Sequence, residues 1–447
     1  MKRVAPALAL CGLLVAALPA QAAGQQPAHH DSHESYGTKA PYSPQQSPRT
    51  YQRPPAGFTP VFTENVSRHG SRSATDSEDG DLILALWDRA AAEGQLTRKG
   101  EEFGPAVRAL LDAMAEVGYG NLSGRGRAEM RDTATRMAGR LPSLFAKIAA
   151  DGEKIDVVSS GQGRAVDSAG EYVGALADAD PALRPLIGPT RTDKDLLYFH
   201  KAAGGAAYRD YIANDQRLAS TLKGITDQPR TYRAARGVLR KIFKDAFVER
   251  IADADAVSAA EAVHNLYAIA PAMSEESPDG AGWGMERYIS RSDAAWFGYL
   301  GDAEDFYEKG PGFSDSDITY KMAGVVLDDF FKQVEAKRDG TSDLGAELRF
   351  THAEEIIPLA ALMGLSGSTR PATPGQPYAY ADNPWRGADV APLGVNIQWD
   401  VFRKGDRYLV RMLYNEKATA FKAGCRPVAK GSEFYELDEL ERCFGRE

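Results

Sequence analysis

Three short runs rich in β-branched and apolar residues, far apart in the chain, each stop at a polar loop. Phe58 to Val66 runs into Ser67-Arg68-His69-Gly70, Ile155 to Val158 into Ser159-Ser160-Gly161, and Leu348 to Phe350 into Thr351-His352. After the third, Glu355, Ile356, Leu359, Leu362 and Met363 recur at helical spacing. Strands interleaved with helices fold as a sheet covered on both faces, and ligands collect beyond the carboxyl ends of its strands. Loops remote in sequence are therefore expected to converge on one crevice.

Between the second and third runs lies a long helix-rich stretch, from about 195 to 345, in which the segments Arg233 to Arg250 and Ile318 to Lys337 show helical periodicity. The expected fold class is α/β: a mainly parallel doubly wound sheet flanked by helices, with an inserted, mostly α-helical domain. The α/β core would comprise 58–194 plus 346–447, and the insertion 195–345. Two lobes also suit the length, because single cores stop growing near roughly 250–300 residues and this chain has 447. Near the end, Val395, Ile397, Trp399 and Val401 alternate, Lys404-Gly405-Asp406 turns, and Tyr408 to Tyr414 returns, the pattern of an antiparallel hairpin.

Residues 1–22 read as an export leader: Lys2 and Arg3, an apolar run from Val4 to Leu18, then Ala20-Gln21-Ala22 as a small-residue cleavage site. The apolar run is short and broken by Pro6 and Gly12, so it does not read as a membrane span. The expected location is periplasmic or secreted. Residues 23–57 are rich in proline, Gln and Ser without apolar periodicity, an extended or wrapping arm. Its His29, His30 and His33 read as solvated rather than as metal ligands. Without the leader, Cys425 and Cys443 are the only thiols, and export favours a disulfide between them over two buried thiols. Closing that loop would stabilise the fold by roughly 3 kcal/mol. The net charge of -9 becomes more negative once Lys2 and Arg3 leave, which argues against nucleic acid and anionic membrane as partners.

Signatures of P-loop enzymes, zincins, thioredoxin-like proteins and the nucleophile elbow are absent from the sequence. Histidine chemistry in the body must draw on His69, His200, His264 and His352. Arg68-His69-Gly70-Ser71-Arg72 follows a strand and precedes a helical run, so two guanidiniums flank an imidazole at a strand end. Guanidinium forks match phosphate oxygens, and their charge disfavours imidazolium, keeping His69 neutral and nucleophilic. Arg164, just past the second strand, would add a third cation. His352-Ala353-Glu354 sits where the third strand gives way to a helix. There His352 would donate a hydrogen bond to a phosphoryl group and Glu354 would protonate a leaving alcohol. A helix-opening acid favoured by the dipole explains Glu354 and Glu355 equally well.

Together these pieces resemble the histidine acid phosphatase clan, from about Gly37 to the C-terminus. The resemblance implies His69 as a transiently phosphorylated nucleophile, Arg68, Arg72, Arg164 and His352 as the phosphate pocket, and Glu354 as proton donor. Most of the clan places an Asp directly after the second histidine; the His-Ala-Glu form here is similar to the multiple inositol-polyphosphate phosphatase branch. Gly37 to Tyr42, Gly120-Asn121-Leu122-Ser123 with Gly126 and Glu129, Asp195 to Phe199, and Leu413 to Glu416 agree with that branch. Ser73-Ala74 departs from it, since relatives usually carry a proline shortly after the second arginine.

The branch implies phytate and lower inositol phosphates as small-molecule substrates, hydrolysed without metal or cofactor. Arg191, Lys194 and Lys201 are the candidate contacts to the remaining substrate phosphates, and the stripe Arg233, Arg236, Arg240 and Lys244 reads as a solvated face. A proton donor that starts protonated implies an acidic to near-neutral optimum. The alternatives are a broad-specificity acid or sugar phosphatase of the same clan, a phosphoglycerate mutase, for which export has no evident reason, and a non-catalytic exported phosphate-binding protein. The sequence does not fix the oligomeric state.

Overall fold

The computed structural model describes residues 32–446. The leader-like residues 1–22, and the start of the arm with His29 and His30, lie outside the described residues. The centre of the fold is a mixed eight-stranded sheet. Four strands lie parallel: β1 (Thr59–Arg68) beside β4 (Leu344–Thr351), then β2 (Lys154–Ser159) and the short β3 (Arg191–Thr192). On the other side of β1, the antiparallel hairpin β5 (Asn396–Lys404) and β6 (Arg407–Tyr414) extends the sheet, and two-residue strands β7 (Lys417–Ala418) and β8 (Tyr435–Glu436) pair with β6. The hairpin turns on Gly405-Asp406, with Gly405 at φ 59°, the left-handed conformation such two-residue loops require.

Register decides where chemistry can occur. Ser67 lies beside Phe350, and Phe350 beside Ser159, so the loops that start at His69, Ser160 and His352 leave the sheet at one level. Helices Gly124–Arg140, Pro142–Asp151 and Gly163–Ala179 cover one face, packing Met137, Leu144 and Tyr172 against Ile155, Val157, Leu348 and Phe350. On the other face, Gly324–Arg338 and Ala353–Leu362 bring Phe330, Phe331, Ile356 and Leu359 against Val66, Val158 and Trp399. Each such fully buried side chain contributes about 1.5–3 kcal/mol relative to exposure. That second face also buries an ion cluster. Arg349 of β4 is fully enclosed and pairs with Glu64 of β1 at 2.9 Å, with Asp329 at 2.7 Å and with Glu347 at 3.3 Å.

No strand interrupts the described chain between Thr192 and Leu344. Within this stretch, Pro229–Ile242, Asp253–Ile269 and the first half of Arg291–Glu308 form a separate core with two helices that precede the second strand, whereas Gly324–Arg338 and the helices Ala206–Asn214 and Gln216–Thr226 pack into the core of the sheet. Val238, Val263 and Phe297 meet Ile83 of Glu78–Ala92 and Phe103 and Leu110 of Arg98–Val117. The helical core is thus assembled from two stretches of chain, residues 78–117 as well as about 229–300, because the apolar faces of those two early helices are buried in it.

Of the arm read over 23–57 as extended or wrapping, the described residues begin at Ser32. Ser32–Lys39 forms a 3-10 stretch packed against the helices Arg291–Glu308 and Asp253–Ile269, and Ala40, Pro41 and Tyr42 are buried. Ser35 accepts a hydrogen bond from His264 Nε2 at 2.9 Å, and Gly37 takes a left-handed φ of 52° at a kink. Its buried residues, Ser35, Gly37 and Ala40 to Tyr42, are few and flanked by polar ones, so they carry no periodicity. Cys425 and Cys443 form a disulfide that ties the C-terminal helix Leu437–Phe444 to the preceding loop. No described helix is long and apolar enough to cross a membrane.

Candidate active site

The loop after β1 is held from all sides by its backbone. Arg68 N–H donates to Val395, His69 N–H to Thr351, and Gly394 N–H to the His69 carbonyl. Ser71 donates through its N–H and its hydroxyl to the two oxygens of buried Glu129, both at 2.8 Å, and Gly70 N–H reaches Ser168 Oγ at 3.2 Å. The loop also lies directly on the helix Gly124–Arg140: a Cβ on Gly126 would sit 1.9 Å from the Ser71 carbonyl, and one on Gly70 would sit 2.5 Å from the Gly126 carbonyl. Gly126→Ala should therefore cost about 1–3 kcal/mol of stability by overpacking. It should also lower kcat by up to about 10²-fold, the scale of a ~1 Å misplacement of reacting groups. Thermal unfolding and phosphatase kinetics on the purified variant check both.

Within this frame His69 is buried, and its Nδ1 lies 3.0 Å from the Gly70 carbonyl. A carbonyl only accepts, so Nδ1 carries the proton and Nε2 keeps the lone pair. Burial, then Arg68, His352, Arg72 and Arg164, hold the imidazole well below its usual range, which favours its neutral form.

The cations come from two strand ends. Arg68 Nη1 is fixed by the carbonyls of Thr38 and Ala391, each at 2.5 Å, and Arg72 Nη1 by the Ser73 carbonyl at 2.7 Å. Arg164 opens the helix after β2. Burial and mutual repulsion bring Arg72 down to about 10, and burial likewise brings Arg68 to about 10, so both stay charged. His352, at the end of β4, sits edge-on to His69 with ring centroids 5.4 Å apart, and its Nε2 is 2.8 Å from Ser160 Oγ. Gln162 N–H already donates to that oxygen, so the arrangement that uses every donor sends the serine proton to Nε2 and leaves Nδ1–H for a ligand. Nε of Arg68, Arg72 and Arg164 and Nδ1 of His352 are buried without a partner. Such donors, gathered from three strand ends, suit a phosphoryl group, which spreads its charge over several oxygens.

Glu354 and Glu355 open the helix Ala353–Leu362, and the structure separates them. Glu355 is buried and bound by His200 Nδ1 and Thr351 Oγ1, a structural acid that burial pushes up to about 7. Glu354 lines a cavity of about 430 Å³ with Arg164, His352, Tyr198, Glu308 and Lys309. Burial pushes its carboxyl up, but Lys309, its own N-terminal backbone N–H, Arg68 and His200 outweigh that and hold it at about 2. The unliganded site thus keeps Glu354 ionised, whereas a proton donor was expected to start protonated. A phosphate dianion among the arginines would offset those cations and raise it.

Of the three candidate outer contacts, only Lys201 lines this cavity. Arg191 is committed to Asp156, Asp193 and Glu347, and Lys194 is exposed and does not line the cavity. β3 points Arg191 at the carboxylates of its neighbouring strands rather than at the crevice. Arg236 and Arg240 pair with acids of their own lobe and Lys244 with the Gly94 carbonyl, as a solvated stripe does. Sequence reading missed three contributors. Tyr198 packs its ring at a tilt against His352 with centroids 5.3 Å apart, Ser160 orients that histidine, and Lys309 lines the same cavity as Glu354. Tyr198 and Ser160 lie in segments singled out for other reasons, whereas nothing around Lys309 marks it out.

A model of the histidine phosphatase superfamily (branch 2) matches residues 62–415. The multiple inositol polyphosphate phosphatase 1 of Gallus gallus is 24% identical over 408 residues, covering 88% of this chain and 84% of that protein. Crystal structures of the Bifidobacterium longum multiple inositol polyphosphate phosphatase are similar throughout. Its complex with inositol hexasulfate is 30% identical with a TM-score of 0.85, and its complex with phosphate 31% identical with a TM-score of 0.86. Each alignment covers 92% of this chain and 97% of that one.

Proposed function

Since the chain belongs to the histidine phosphatase superfamily (branch 2) and is a phosphoric monoester hydrolase, we propose that it hydrolyses phytate and lower inositol polyphosphates through a phosphohistidine at His69. The observation that carries the mechanism is the free Nε2 of a neutral imidazole among three guanidiniums. In the first step His69 Nε2 attacks phosphorus in line, forming the N–P bond as the ester P–O bond breaks. Arg68, Arg72, Arg164 and His352 hold the phosphoryl oxygens, and Glu354 passes a proton to the departing inositol oxygen. In the second step water, losing its proton to Glu354, displaces the imidazole and releases phosphate.

The substrate class is supported by the relatives, named as inositol polyphosphate phosphatases, one of them holding inositol hexasulfate. Export to the periplasm or medium is part of the same proposal, supported by the leader-like start and by the disulfide.

One observation favours the broader acid or sugar phosphatase reading. A second cavity, of about 640 Å³, is lined by Lys39, Lys309, Glu261, Asp302, Glu304 and Asp305. Among the described residues Glu261 and Glu304 have no hydrogen-bond or ion-pair partner. Unpaired carboxylates suit a less charged substrate. Chromatography of phytate digests against enzyme dose, with a small aryl phosphate in parallel, separates the readings. Stepwise appearance of lower inositol phosphates, with kcat/KM above that for the aryl ester, is expected. Intact phytate alongside rapid aryl ester hydrolysis would favour the broader phosphatase.

A further inference from the structure

Lys309 stands at the C-cap of the helix Arg291–Glu308, its side chain 18% exposed. Its Nζ bonds Asp305 Oδ1 at 2.6 Å and lies 3.8 Å from Glu308 Oε2. The other oxygen of Asp305 accepts from Thr38 Oγ1 at 3.2 Å, and the Thr38 carbonyl is one of the two that fix Arg68 Nη1. On its far side Lys309 lines the cavity it shares with Glu354, His352 and Arg164. A continuous run of polar contacts therefore leads from the arginine cradle through Thr38 and Asp305 to an ammonium that faces the acid of the site. A surface Asp–Lys pair at this spacing would be solvated and would touch no cavity. Here the ammonium is largely withdrawn from water, where its charge reaches further.

We propose that Lys309 is a positioning residue that sets the proton affinity of Glu354, and with it the pH at which the leaving oxygen ceases to be protonated. The inference rests on Glu354 as proton donor. The charged and titratable groups around Glu354 come from every element packed on it. They are Lys309 and Glu308 at the helix end, Arg68 and Arg72 at the end of β1, Arg164 from the helix after β2, Tyr198, His200 and Lys201 after β3, Tyr208 and Arg209 from the helix Ala206–Asn214, and His352 and Glu355 beside it; Arg209 is held by the carbonyls of His200 and Ala202. Arg68, Arg164 and His352 are needed for phosphate, and His200 is held by Glu355. Lys309 is the cation whose charge is removed without dismantling the cradle. Burial raises Glu354 and Lys309 leads the opposing influences.

The test is the pH dependence of kcat on inositol hexakisphosphate for wild type, Lys309→Met and Lys309→Arg. Removing the cation lets Glu354 keep its proton to higher pH. The alkaline limb of Lys309→Met should therefore move up by about one pH unit, a tenfold larger protonated fraction at a given pH above the limb. Lys309→Arg should leave it in place. A Met limb that coincides with wild type, or moves to lower pH, overturns the inference. If thermal melting shows that the Met variant does not fold, Lys309→Gln carries the same expectation. The two readings fail separately. Wild-type activity of Glu354→Gln at all pH would remove the proton donor itself, whereas an inactive Glu354→Gln with an unmoved Lys309→Met limb would remove only the role of Lys309.

Discussion

Replacing His69 by alanine is expected to lower turnover of every phosphate ester by at least about 10⁴-fold, the scale seen when a nucleophile is deleted from a preorganised site. The fold should survive, with Tm within about 2 °C of wild type. The imidazole makes one hydrogen bond, to its neighbour's carbonyl, while the loop is held by backbone bonds to Val395, Thr351 and Gly394 and by Glu129. The other histidines of the site are placed differently: Nε2 of His352 is engaged by Ser160, and His200 is bound to Glu355 and lies edge-on to Tyr198 rather than beside the arginines. The cradle would remain, so the variant should still bind inorganic phosphate. Phosphate binding by calorimetry together with turnover checks this; activity within tenfold of wild type would exclude His69 as nucleophile.

Glu354→Gln should lower kcat on inositol polyphosphates by about 10²–10⁴-fold, the usual contribution of a positioned acid–base group. The loss should be smaller on an aryl phosphate whose phenolate departs without a proton, and the ratio of the two losses is the diagnostic. The sign of the pH dependence follows from charge. With the pocket empty, Lys309 and Arg68 keep Glu354 ionised, down at about 2. A bound phosphoryl dianion raises the proton affinity of both Glu354 and His69. Burial and the surrounding arginines oppose that rise at His69 and favour its neutral, nucleophilic form. Phosphate monoesters carry one proton below about pH 6, so the monoanionic substrate brings the proton that Glu354 then relays. Activity should therefore be highest under acidic to near-neutral conditions and fall as pH rises through the pKa of Glu354 in the complex. A pH–rate series on the two substrates measures it.

Much of this site was legible because its first contacts lie within short motifs at strand ends. Arg68, His69 and Arg72 share five residues, and parallel register brings Ser160 and His352 to the same level without further information. The strands themselves were read too short. β4 starts at Leu344, but Glu347 and Arg349 alternate with Ala346, Leu348 and Phe350, so its apolar face is half hidden by a buried ion cluster. Of the two early helices, Arg98–Val117 was not singled out and Glu78–Ala92 was visible as the helical run after Arg72. Which lobe they cover was not visible, because an amphipathic stripe states that a face is buried and not against what. The outer contacts were the least legible. A basic residue marks a substrate contact only if no acid claims it, and Arg191 is claimed by Asp156 and Glu347, residues that only strand pairing brings near. Lys309 was hidden for the opposite reason, since Asp305 four residues earlier gives it the look of an ordinary surface pair.

The central claim is that phosphorus becomes bonded to Nε2 of His69, and trapping that bond during turnover tests it most directly. Enzyme mixed with inositol hexakisphosphate, quenched in alkali within milliseconds and digested, should yield a peptide spanning Arg68 to Arg72 that carries one phosphoryl group on His69, stable in alkali and lost in acid. Phosphate on a different residue, or full turnover with no phosphorylated protein at any quench time, would contradict it.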